Sequence, residues 1–284
     1  LRIEAEGLEG SLSADLEGGS LVAIGLGDRV EVTGRDATAR VAGALGDAVF
    51  RLLGSSQVSV SGVGGALDVD LDEGSLAVLG VEGTATVRQR GGKAKIEGLR
   101  RGGRLLLHGT SVLLARSEGE VVLEGDRDLR VESLDASLRV EMAGGTLTGA
   151  DLRGGATVGG SGPARVDLEG IAGGVVGRGA LIEVSIRESF SPVEIRTRDA
   201  DVEVAGASAA VRIGSERGNV AGSRLTGGVT VVGSGGGVSL EGVVGPVRVE
   251  ADGPWVRVAW IANSARDDSR IRNAGGDVEV VFGS

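Results

Sequence analysis

The sequence has no cysteine and no tyrosine, and only three phenylalanines, two tryptophans and one histidine in 284 residues. Without cysteine there are no disulfides, no thiolate zinc sites and no thiol nucleophile. With so few aromatics, a core cannot draw its bulk from rings. It must be thin and built from Val, Leu, Ile and Ala. Any Ser-His-Asp set would rest on the lone histidine, His108, and a zinc site would need at least two more nitrogen or sulfur ligands; beside Leu105–Leu107 the histidine reads as a solvated turn residue. No run of 18 apolar residues is present, so nothing is expected to span a membrane as a helix. The sequence opens at Leu1 with no basic-then-apolar leader, so no signal peptide is visible, and whether a leader or anchor was removed is left open. The formal charge is -10 and no basic stripe stands out along the chain. Both argue against nucleic acid as a partner.

What the sequence has in excess is glycine, 53 residues of it. The segment Val229–Val258 shows why. Cut every nine residues it reads VTVVGSGGG, VSLEGVVGP, VRVEADGPW, VRV, and each line opens valine, polar, apolar. Call that first apolar position h. It falls at Ile3, Leu12, Leu21, Val30, Ala39 and Ala48, slips by one residue at Gly54-Ser55-Ser56, and resumes at Val58. It continues every nine residues to Val121, slips back to Leu129, and runs on to Ala156. From Val166 it holds without a break to Val256. Only Gly103 departs from apolar character at h, and the residue two further on is apolar or glycine throughout. Apolar-polar-apolar is the period-2 mark of a strand with one buried side. Two residues before h, glycine recurs at Gly65, Gly74, Gly83, Gly92, Gly119, Gly218, Gly227, Gly236 and Gly245, which is read as permission for positive φ at a corner.

A constant spacing held along the whole chain is the signature of a coil whose turns lie on one another. The expected fold is therefore all-β: a right-handed parallel β-solenoid of nine-residue strand-turn units forming a single domain over 1–284. Glycines at 62, 80 and 98 recur every 18 residues, favouring two faces and about 18 residues per coil. Three faces and 27 residues is the alternative. An irregular excursion or partial cap is expected at 259–276, a protruding corner at 186–192, and a loosened core from Glu141 to Leu152.

No catalytic, cofactor-binding or metal-ligating residue is assigned. Asp68, Asp70 and Asp72 alternate along one strand, but as its outward residues, and nine-residue units leave no long loops to wall a cleft. The segment GGSGPARVD (159–167) is only superficially like a nonapeptide calcium roll, because its aspartate is misplaced and nothing repeats it. Candidate ligand or partner contacts are Trp255 and Trp260, read as a sugar-stacking platform or a cover for the last coil. Arg266, Asp267, Asp268 and Arg270 are further candidates, in the one real insertion.

Strands of the type in SPVEIRTRDADVEVAG (191–206) and GGDVEVVF (275–282) resemble the bacterial putative-adhesin β-solenoids of unknown function. The resemblance covers most of the chain and rests on repeat style. It implies a parallel β-solenoid with no established enzyme activity, often found on or outside the cytoplasmic membrane. The expected function is a non-enzymatic structural or interaction protein, an acidic adhesin-like rod of the bacterial envelope or cell surface. Its partners would be a surface glycan, a protein, or another copy met through open solenoid edges or sheet faces. The alternatives are a carbohydrate-binding or carbohydrate-cleaving β-helix, and a subunit stacking end to end into filaments.

Overall fold

A computed structural model describes residues 2–261 and 268–283. Among the described residues there is no helix, and the fold is a parallel β-solenoid of about 15 turns with about 18 residues per turn. The chain divides into two compact units, Leu1–Arg139 and Val140–Ser284.

In the first unit, each strand pairs in parallel with the strand one full turn later. Leu21 lies beside Ile3 and Ala39, and Leu12 beside Val30. The slip at Gly54-Ser55-Ser56 is a register shift between Leu52 and Ser55, confined to the corner, so the strand beyond it stays in phase. Four strands here run through that corner without a break: Ala48–Val63, Leu67–Val81, Ala85–Leu99 and Gly103–Ala115. In the second unit the rule is the same. Val193, Val211, Val229 and Val247 form one column, and Val202, Val220, Val238 and Val256 another. Every residue of both columns is buried. Of all the h residues, only Ile3, Leu12 and Gly103 fall short of full burial. The thin core is thus made of aliphatic columns from two facing sheets, with Phe50 its one fully buried ring.

The two strands of a turn differ at one corner. On one set, here called face A, the residue four beyond h adopts the left-handed conformation: Gly7, Gly25, Gly43, Gly62, Gly80, Gly98, Gly170, Gly206 and Gly242, with φ from 62° to 76°. The residue after it then turns inward, as Leu26, Ala44, Val63, Val81 and Leu99 do. On the other set, face B, the strand runs straight and the fourth residue itself points in, as in Leu16, Leu52, Leu71 and Leu107. Five corners on face A carry a side chain instead of glycine, at Arg116, Ser133, Asp151, Glu188 and Arg224, with φ between 50° and 56°.

Of the glycines two residues before h, Gly74, Gly92, Gly119 and Gly245 have the positive φ their recurrence suggested, while Gly65, Gly83, Gly218, Gly227 and Gly236 do not. They are required because successive turns touch there: a Cβ on Gly218 would sit 1.9 Å from the Ala200 carbonyl oxygen, and one on Gly236 1.9 Å from that of Gly218. Glycine inside the core is compensated by its neighbours. At Gly149 the missing side chain is replaced by Leu168 and Leu152, and at Gly222 by Leu225 and Leu240. That is how the stretch from Glu141 to Leu152 keeps Leu147 and Leu152 buried. Within the predicted excursion, regular strand continues to Trp260 and resumes at Arg270–Asn273.

Candidate interaction surfaces

Because consecutive strands are joined by short turns, the outward side chains of each face stand in columns at right angles to the strands, one residue per turn and about 4.8 Å apart. Most of the charge on these columns is paired between turns. Arg100 lies 3.2 Å from Glu118, Arg104 2.8 Å from Glu124, and Arg198 2.8 Å from Glu216. Exposed pairs of this kind contribute about 0–1 kcal/mol each, so they smooth the surface more than they stabilise it.

The aspartates of the LDVDLD strand belong to this pattern. Asp68 pairs with Arg51 and with Arg88, and Asp72 lies 3.6 Å from Arg90. Asp68 and Asp72 are thus engaged by guanidinium groups. His108 is exposed, with Nδ1 3.9 Å from Asp126 Oδ2. Among the described residues no three His, Asp or Glu side chains gather as a metal site would require.

The two tryptophans point to opposite sides of one strand, Trp255–Trp260. Trp260 is buried, stacks on Phe282 with ring centroids 5.7 Å apart, and donates its indole N–H to the Gly245 carbonyl at 3.1 Å. It is core. Trp255 is partly exposed and lies against Gly237, where an added Cβ would meet its ring at 2.3 Å. The pair therefore does not form a two-ring platform. Asp268 and Arg270 are exposed, while Arg266 and Asp267 lie outside the described residues.

Shallow grooves interrupt the faces among the described residues. One in the first unit, about 620 Å³, is lined by Arg35, Arg51, Leu53, Asp70 and Arg90 among others. One in the second unit, about 560 Å³, is lined by Arg165, Glu183, Asp199, Asp201 and Arg217. Its charges are internally satisfied. Arg165 lies 2.9 Å from Asp167 and 3.4 Å from Glu183, and Asp201 accepts the Asn219 backbone N–H at 2.7 Å. The hydrogen bond from Arg217 holds the Asp199 carboxyl below the usual carboxylate range, and the same contact raises Arg217. A smaller groove, about 240 Å³, lies on face B of the second unit, lined by Arg212, Thr230, Arg248 and Asp268 among others. There the arginines are not paired: none of the described carboxylates lies within ion-pair distance of Arg212 or Arg248.

Although the formal charge is -10, face B of the second unit carries a set of arginines interleaved with Glu194 and Glu250. Arg178, Arg196, Arg212, Arg248, Arg270 and Arg272 all stand exposed or half-exposed on face B of the second unit. No protein-family model, curated protein or solved structure matches the chain.

Proposed function

We propose that the protein is a non-enzymatic interaction solenoid that meets a macromolecular partner through its outward sheet faces, in the manner of an adhesin at a bacterial surface. The observation that carries this reading is the in-register columns: each outward residue repeats its position turn after turn, so the surface offers a periodic lattice of side chains. A periodic lattice suits a partner that is itself extended or repetitive, because many weak contacts at fixed spacing add up. The grooves are open and walled by turns of a few residues, a poor setting for the water exclusion that hydrolysis or elimination of a glycosidic bond requires. The adhesin-like role is further supported by the likeness of the VEIR and VEVV strands to that family's repeats.

The test is to incubate the full chain with a panel of polysaccharides and with bacterial envelope fractions, scoring retention on the polymer and release of new reducing or unsaturated ends. Saturable retention without new ends is the expected result. Release of ends in proportion to protein added would replace this reading with a carbohydrate-cleaving one.

A further inference from the structure

The positive charge of face B in the second unit is arranged as a column. In register, Glu194 is followed by Arg212, Thr230, Arg248 and Arg270 on successive turns. Two residues along the same strands, Arg178, Arg196, Gly214, Val232, Glu250 and Arg272 form the neighbouring column. Glu194 lies 3.2 Å from Arg196 and 3.8 Å from Arg178, so that end is partly neutralised. The other end is not. Arg212, Arg248, Arg270 and Arg272 have none of the described carboxylates in ion-pair range.

Like charges directly opposite one another across a sheet are destabilising, and Arg248 and Arg270 are direct register partners. Elsewhere on the molecule the chain avoids this by setting acid beside base on neighbouring turns, as at Arg100 and Glu118 or Arg198 and Glu216. Here too Glu194 is the register neighbour of Arg212 and Glu250 that of Arg272, but Arg248 and Arg270 oppose each other directly, a step that an anion from outside would relieve. The groove between Arg212 and Arg248 supplies a seat. Its lining includes Gly228, Pro246 and Asp268, and Thr230 holds the register position between Arg212 and Arg248, whose backbones are roughly 10 Å apart. A planar guanidinium offers paired donors that match a carboxylate or sulfate.

The shape of the site selects among anions. A free small anion would engage one seat, whereas a polymer with an anion on each repeat would engage the whole column. A single-stranded nucleic acid needs rings for its bases to stack on. Trp255, the exposed tryptophan, belongs to the other face. We propose that this column binds an acidic polysaccharide, a polymer carrying a carboxylate or sulfate on each repeat, with one anionic group held between Arg212, Thr230 and Arg248 and the next between Arg248 and Arg270. This rests on the surface-contact reading above and adds the class of ligand.

The experiment is calorimetric titration of the full chain with polygalacturonate oligomers, heparin, uncharged dextran and an oligonucleotide of matched charge, across a series of salt concentrations. One or both acidic glycans should bind, with affinity falling as salt rises, and dextran should not. R212Q/R248Q should weaken binding about a hundredfold, roughly tenfold for each charge-assisted contact, and flatten the salt dependence. R187Q/R257Q, which removes two arginines from face A of the same unit, should change affinity by less than about threefold. Far-UV circular dichroism checks that each variant is folded. Should R212Q/R248Q fail to fold, R212K/R248K keeps the charge, loses the paired donors, and should give an intermediate loss. Equal losses from the two faces, an oligonucleotide bound as tightly as the glycans, or no binding of either acidic glycan would each overturn the proposal. Glycan binding that survives R212Q/R248Q overturns the site while leaving the surface-contact reading intact. Release of reducing ends overturns that reading, while a loss in R212Q/R248Q would still locate the glycan at this column.

Discussion

Replacing Val238 with aspartate tests the inward columns, because Ser239 beside it provides a control. Val238 is 1% exposed and lies in register between Val220 and Val256, themselves buried. Losing its side chain from the core costs about 1.5–3 kcal/mol in transfer free energy. The new carboxyl has no partner in an aliphatic column, so it must fold protonated. Holding it protonated at pH 7 against an unfolded value near 3.9 costs about 4 kcal/mol more, at about 1.4 kcal/mol per pH unit. The sum, about 6 kcal/mol, rivals the whole stability of an ordinary domain. Ser239 points outward on the same strand, with Arg257 as its register partner. Ser239→Asp therefore adds an opposite-charge neighbour and should shift stability by less than about 1 kcal/mol. The assay is urea unfolding followed by far-UV circular dichroism at pH 7 and pH 4. Since burial raises the folded-state pKa of the introduced carboxyl, the charge part of its penalty is full above that pKa and vanishes below the unfolded value. The gap between Val238→Asp and Val238→Asn should therefore narrow as pH falls. Similar losses at 238 and 239, or a gap indifferent to pH, would refute the assignment of inward and outward positions.

Other outcomes follow from the same geometry. Gly218→Ala, whose Cβ would meet the Ala200 carbonyl oxygen at 1.9 Å, should destabilise by several kcal/mol. Gly80→Ala, with φ of 76° and nothing nearer than 3.9 Å, should cost only the left-handed strain of about 1–2 kcal/mol. Comparable values in urea melts would mean that the two glycine series share one cause. Arg217→Ala should return the Asp199 carboxyl to the ordinary range in an NMR titration, since the hydrogen bond that depresses it is gone. The native pair's contribution is present above the unfolded aspartate value, neutral pH included, and is lost as pH falls through the depressed one, so stability depends on pH through this pair only in acid. Trp260→Ala should destabilise by about 3–5 kcal/mol through loss of a buried ring, whereas Trp255→Ala should cost far less. Thermal melts of the two variants check this, and equal shifts would contradict the opposite placements of the rings.

The winding was legible in the sequence because a solenoid repeats its chemistry wherever its geometry repeats. Valine at h and its polar neighbour mark the inward and outward sides of every strand. The slips at Gly54 and before Leu129 appear in the structure as offsets of 19 and 17 residues, between Ala48 and Leu67 and between Val112 and Leu129. The two-faced turn was only partly visible. Gly62, Gly80 and Gly98 announce the left-handed corner, but Arg116, Ser133, Asp151, Glu188 and Arg224 occupy the same corner with side chains, which breaks the pattern for a reader of glycines. The glycines before h were seen, and positive φ holds at Gly74, Gly92, Gly119 and Gly245, but at Gly218 and Gly236 the cause is contact with the previous turn's carbonyl, which leaves no trace in local sequence. The arginine column was hidden for a related reason. Its members lie a full turn or more apart, and 22 residues separate Arg248 from Arg270 across the insertion. Arg270 and Asp268 were picked out by the insertion around them, while Arg212 and Arg248 looked like ordinary outward residues of the repeat.

The central claim is that one turn takes two strands and 18 residues, and it can be read directly with thiols, since the protein has no cysteine of its own. Cysteine pairs are introduced at Ser239 and Arg257, 18 residues apart and in register on one face, and at Thr230 and Arg257, 27 apart and on opposite faces. Each pair is treated with a cross-linker spanning about one turn spacing of 4.8 Å. Rapid linkage of 239 to 257 and none of 230 to 257 is the predicted result. Linkage of 230 to 257 without 239 to 257 would show a three-sided coil and contradict the claim.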